Sequence, residues 1–144
     1  LITDLANRSY GKNFARKIVY VGFTVGVAIS LFISTNFSDV ISIRVAIGSG
    51  LAFFIAQNID VNVFDKLRKN LKWYIAPLTS SIIGSTLDTF IFFFVAFYST
   101  SVPWLSLAFG DLVVKILVAL TMLVPFRIFI KNFKDFSQIQ MKKI

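Results

Sequence analysis

The chain has 144 residues, of which 56% are apolar and 15% charged, with 17 phenylalanines and a net charge of +8. Soluble domains carry roughly 25% charged residues, so an ordinary soluble domain and a disordered chain are both excluded. The apolar positions, roughly 81, suffice for four membrane spans of ~20 residues each.

Every acid is an aspartate, and there is no Glu, His or Cys. Disulfides, thiolate or imidazole metal sites and His-based triads are therefore excluded, and no cofactor is expected. The G-S-G run at Gly48–Gly50 has no histidine base to activate its serine, and A-F-G-D ending at Asp111 lacks the first glycine of an intramembrane aspartyl protease motif. No G-x-x-x-x-G-K-[ST] loop occurs, so the chain is not expected to hydrolyse ATP. An enzyme is not expected.

In chain order, residues 1–17 carry Arg8, Lys12, Arg16 and Lys17 and contain no signal-peptide pattern. The first apolar segment runs over about Ile18–Thr35, the second over Val40–Phe64, the third over Trp73–Ser99 and the fourth over Pro103–Ile130. Each can cross a ~30 Å hydrocarbon layer at ~1.5 Å per residue. Pro77 and Pro103 fall near helix starts, where a missing N–H costs little. Pro125 is expected to end or kink the fourth span. With no repeat or linker, residues 1–144 are expected to form one domain, an all-α polytopic membrane bundle with a tail at 131–144.

Thirteen of the fifteen basic residues fall before the first span, between the second and third (Lys66, Arg68, Lys69, Lys72), or from Arg127 onward (Lys131, Lys134, Lys142, Lys143). The connections Asn36–Asp39 and Thr100–Val102 have none. Cytoplasmic loops concentrate Lys and Arg, so both ends and the middle connection are expected in the cytoplasm. That placement accounts for the positive charge without a nucleic-acid partner.

The exceptions, Arg44 and Lys115, lie within spans, as do Asp60, Asp88 and Asp111. Ionisable groups at such depth are costly and usually face a polar interior. Ser81, Ser85 and Asp88 share one helix face at i, i+4, i+7, either lining a substrate cavity or holding helices together. Gln57 and Asp60 stand one turn apart, and an amide that both donates and accepts suits a nucleobase edge. Asp60 is also close enough to the cytoplasm to be hydrated. Arg44 lies near the outer end of its helix and can snorkel to water. Gly48, Ala52 and Ala56 form a small-residue ridge suited to packing. Asp111 and Lys115 at i, i+4 either neutralise each other, or Lys115 bonds Asp88 across the bundle. Phe90, Phe92, Phe93, Phe94 and Phe97 crowd the outer half of the third span, where a flat heterocycle could stack. Trp73, Tyr74, Tyr98 and Trp104 read as interfacial belt residues.

Four strings are more specific: I-T-D-L-A-N-R-S-Y-G-K-N-F-A-R-K (Ile2–Lys17), R-V-A-I-G-S-G-L-A-F-F-I-A-Q-N-I-D-V-N-V-F-D-K-L-R (Arg44–Arg68), W-Y-I-A-P-L-T-S-S-I-I-G-S-T-L-D-T-F-I-F-F-F-V-A-F (Trp73–Phe97) and L-V-V-K-I-L-V-A-L followed by P-F (Leu112–Phe126). Together they resemble the queuosine precursor transporter family, also called the vitamin uptake transporter family. The resemblance implies a bacterial inner-membrane importer of 7-deazaguanine bases, with six helices arranged like the substrate-binding subunits of energy-coupling-factor transporters. On it, Leu1–Ile2 read as the end of an upstream helix absent from this chain, and Asp4, Asn7, Arg44, Gln57, Asp60, Ser81, Asp88 and Lys115 match family motifs. The expected partners are a nucleobase-like small molecule and membrane lipid, with a coupling partner or second copy open. Two alternatives are a binding subunit dependent on a separate ATPase and a membrane scaffold.

Overall fold

A computed structural model describes residues 2–30, 32, 39–69 and 72–141, with side chains described as far as Lys131. Among the described residues there are five helices and no strand: α1 (Ile2–Tyr10), α2 (Lys12–Ile29), α3 (Val40–Leu67), α4 (Ile75–Phe97) and α5 (Trp104–Met141). Three of them, Val40–Leu67, Ile75–Phe97 and the Trp104–Lys131 part of α5, are long and apolar enough to cross a membrane.

Of the four expected spans, three meet this measure among the described residues. The helix expected from Ile18 instead begins at Lys12, so its first turns carry Lys12, Arg16 and Lys17. Residues 33–38, which include the end of that expected span and most of the expected outer connection, lie outside the described residues, as do Lys142 and Lys143.

The break that starts α2 is local. Gly11 has φ +87°, a left-handed conformation that side-chain-bearing residues adopt only at a cost. Its N–H closes α1 on the Asn7 carbonyl at 3.0 Å, and its own carbonyl receives the Ala15 N–H at 3.2 Å, opening α2. Arg68 donates from Nη1 to the Arg8 carbonyl at 3.2 Å, tying the end of α1 to the end of α3. A Gly11→Val variant should lose about 1–2 kcal/mol of stability from backbone strain alone, because open space surrounds the missing Cβ. Thermal unfolding of the protein in detergent measures this.

α3 starts where Asp39 accepts from the backbone N–H groups of Ile41 (3.2 Å) and Ser42 (3.0 Å), an N-cap that satisfies two orphan donors. α3 and α4 then pack antiparallel along the small-residue ridge, with Gly48, Ala52 and Ala56 buried in the interface. A Cβ on Gly48 would lie 3.3 Å from the Phe92 carbonyl oxygen, and one on Gly84 would lie 3.3 Å from Asp60 Cβ. These two glycines let the helix backbones approach closely, as small residues do in membranes.

Pro125 does not end the last helix, which is continuous through it to Met141. Proline deprives the Thr121 carbonyl of its helical N–H, but membrane helices tolerate this through local adjustment. The next residue, Phe126, is buried against Phe64, with ring centroids 6.2 Å apart and planes at 88°. Ala76 and Ile130 complete this cluster, with Leu5, Leu67 and Trp73 packed around it. It fastens α1, α3, α4 and α5 together at one end of the bundle. A second cluster, Ala15, Val19 and Val61 with Phe53, holds α2 on α3.

Candidate functional site

Ionisable side chains gather in two places. The first is midway along α4 and α5. Lys115 Nζ lies 2.7 Å from Asp88 Oδ2 and 2.6 Å from Asp111 Oδ2. It also donates to Thr89 Oγ1 at 3.1 Å, and the Thr89 hydroxyl donates to Asp111 Oδ2 at 2.7 Å. Lys115 therefore makes both bonds that the sequence left as alternatives. Thr89 is fully buried, while the three charged side chains are 31–34% exposed. Two carboxylates share one ammonium, and among the described residues Oδ1 of Asp88 and of Asp111 has no partner. The knot thus has excess negative charge and open acceptors, which a donor-rich ligand can satisfy.

Thr89 was missed by the sequence reading. Continuing the Ser81–Ser85 step by four residues instead of three reaches it, so the signal was present.

The second gathering is where α1 crosses α3 and α4. Asp4 is 3% exposed and Asp60 6%, and their carboxyl groups lie within hydrogen-bonding reach of each other. The Ser80 hydroxyl is also within reach of Asp60. Its contact to the Pro77 carbonyl is long, 3.3 Å, leaving the proton free to turn to the carboxyl. Asn7, fully buried, donates from Nδ2 to the Val61 carbonyl at 3.0 Å. Burial raises the Asp4 pKa. The raised value means that Asp4 favours the folded state at low pH, an advantage lost as pH rises through the folded-state pKa. A cavity of about 30 Å³, room enough for a water, lies between Asp4, Pro77 and Ser81 on one side and Ala119, Met122 and Phe126 of α5 on the other.

The other expected site residues are dispersed. Arg44 donates from Nε to the Val95 carbonyl (3.0 Å) and from Nη2 to the Tyr98 carbonyl (2.8 Å), capping the C-terminal end of α4. Gln57 is half-buried on α3, and Ser85 is half-buried on α4. The phenylalanines of α4 pack chiefly on one another and on neighbouring aromatics, as in Phe90 against Phe109 and Phe94 against Trp104. Trp73 lies under the Arg127 guanidinium at 5.2 Å. A larger groove of about 570 Å³ separates α2 from α3, but its walls, including Phe23, Val27, Ile47 and Leu51, are mostly apolar. It offers little to read a polar ligand.

Comparison with known proteins adds a family. The profile described as "Putative vitamin uptake transporter" matches residues 1–130. A "Probable queuosine precursor transporter" of Haemophilus influenzae is 36% identical over 143 residues, covering 87% of this chain and 61% of that protein. The "Queuosine precursor transporter" of Escherichia coli is 29% identical over 162 residues, covering 96% of this chain and 73% of that protein. A "Probable queuosine precursor transporter" of Bacillus subtilis is 32% identical over 142 residues, covering 82% of this chain and 61% of that protein. This chain thus spans about six-tenths to three-quarters of its relatives' lengths. The names are those of transporters and not of enzymes. No solved structure matches.

Proposed function

The chain belongs to the vitamin uptake transporter family, and from that premise we propose that it forms part of an importer for a queuosine precursor, a 7-deazaguanine base such as 7-cyano-7-deazaguanine. It does so in the bacterial inner membrane, as a multi-pass protein whose first of four spans begins in α2, with both ends of the chain in the cytoplasm.

The observation that carries this reading is the knot of Asp88, Lys115, Asp111 and Thr89 between two helices long enough to span. A guanine-type edge presents an N–H and an amino group as donors beside a carbonyl acceptor. The open carboxylate oxygens match the donors and the Lys115 ammonium matches the carbonyl, so the ligand supplies the hydrogen-bond donors that the knot lacks. Such bonds to charged groups contribute about 1.5–3 kcal/mol each. Gln57, half-buried on α3 with both a donor and an acceptor, would read a remaining edge of the base.

Uptake in cells unable to make queuosine precursors tests the reading, with queuosine in tRNA as the readout. Asp88→Asn should lower uptake at least ~10-fold, the equivalent of one charge-assisted bond, because the amide replaces an acceptor with a donor. Wild-type uptake by the Asp88→Asn variant would remove the knot from the binding site.

A further inference from the structure

We propose that Asp4 and Asp60 form a proton-binding site that holds one proton between two buried carboxyl groups, and that this proton drives the transport cycle. The coupling rests on the transport reading above; the proton site itself does not.

The geometry points to a proton. Asp4 and Asp60 come from different helices, are each more than nine-tenths buried, and lie within hydrogen-bonding reach. Two ionised carboxylates are acceptors only and repel each other, so a bond between them requires one to be a carboxylic acid. A proton arriving at the doubly ionised pair forms one O–H bond that donates to the other carboxylate. Its departure restores two carboxylates.

The surroundings favour that occupant. Gly84 leaves the Asp60 side chain room, since a Cβ there would lie 3.3 Å from Asp60 Cβ. Asn7, one turn along α1 from Asp4, is fully buried and bonded to the carbonyl next to Asp60, and its Oδ1 has no hydrogen-bond partner among the described residues. It is an acceptor placed beside the pair for an O–H or a water.

Among the described residues, the charged groups of the pair are the two carboxyls themselves. Ser80 faces it from α4, and the wall from α5 at Met122 and Phe126 is uncharged. The nearby arginines have other partners: Arg68 on Asp65 and the Arg8 carbonyl, and Arg16 on Asn62.

One face of α4 links the pair to the knot. The water-sized cavity has Asp4 and Ser81 on its walls. Ser81, Ser85 and Asp88 then climb one face of α4, about 10 Å along the axis at ~1.5 Å per residue. Protonation at the pair and ligand binding at the knot thus act on the two ends of one polar stripe.

Infrared spectra of the purified protein in lipid, recorded across a pH series, test the site without any substrate. Wild type should show a protonated-carboxyl C=O band near neutral pH that bleaches on alkalinisation. The isosteric double variant Asp4→Asn/Asp60→Asn should lack it, and Asp65→Asn should keep it. Absence of the band from wild type, or its survival in the double variant, overturns the proton site.

Uptake of 7-cyano-7-deazaguanine by vesicles tests the coupling. An imposed gradient, acid outside, should speed uptake several-fold by wild type and leave Asp60→Asn unresponsive. An equal response in both overturns the coupling. No uptake by wild type under any gradient would instead sink the transport reading, with the infrared result still deciding the site.

Discussion

Lys115→Met is expected to be the most damaging single change in the protein. It strips the only cation from between Asp88 and Asp111, which sit 2.7 and 2.6 Å from the ammonium. Two carboxylates then share a membrane interior with the Thr89 hydroxyl as their remaining donor. Breaking an intramembrane ion pair from one side costs about 3 kcal/mol, which should appear as a large drop in unfolding temperature and in folded yield. Adding Asp88→Asn and Asp111→Asn removes the stranded charges and should restore the yield. Uptake should stay absent in the triple variant, because the charged groups proposed to read the base have gone. Recovery of both together would reduce the knot to interhelical glue.

Phe126→Ala should produce the second-largest effect, at the opposite end of the stripe. The ring is 1% exposed and packs edge-on to Phe64, which is fully buried. Losing a buried phenylalanine costs about 3–5 kcal/mol, chiefly through the cavity it leaves. The low end applies here, since the unfolded side chain in lipid stays in apolar surroundings. Phe126 also walls the small cavity beside Asp4, and Leu5 of α1 packs on the same cluster. The variant should therefore loosen α1 before the spans. Amide hydrogen exchange should rise first over residues 2–10 and later over α3 and α4.

How far the sequence reached depends on what each segment buries. α3, α4 and the apolar part of α5 were legible because lipid demands long uninterrupted apolar runs. The expected and observed starts agree at Val40 and differ by two residues or fewer at Ile75 and Trp104. α1 was read only as a connection. It is only nine residues long and its buried positions are Asp4, Ala6 and Asn7, so no long apolar run marks it as a packed helix. The start of α2 was missed for a related reason: Gly11 sets it by backbone conformation, six residues before the apolar run begins.

The candidate site divides the same way. Asp88, Asp111 and Lys115 stood out as charges within spans, and the i, i+4 step tied two of them together. That Lys115 also reaches Asp88 depends on the α4–α5 packing, which one sequence leaves open. The Asp4–Asp60 contact joins residues 56 positions apart across two helices and has no local signature. Arg44 shows the reverse case. Its place near the outer end of its helix suggested snorkelling to water, while its guanidinium is occupied by the last carbonyls of α4.

The central claim is that the carboxylates of the knot read the donor edge of a 7-deazaguanine. Equilibrium binding to the purified protein tests it most directly, comparing 7-deazaguanine with 7-deazahypoxanthine, which lacks the amino group. Losing one bond to a charged acceptor should weaken binding about 10- to 150-fold, from ~1.5–3 kcal/mol, and Asp88→Asn should abolish that preference. Equal affinity of the wild-type protein for both bases would contradict the account.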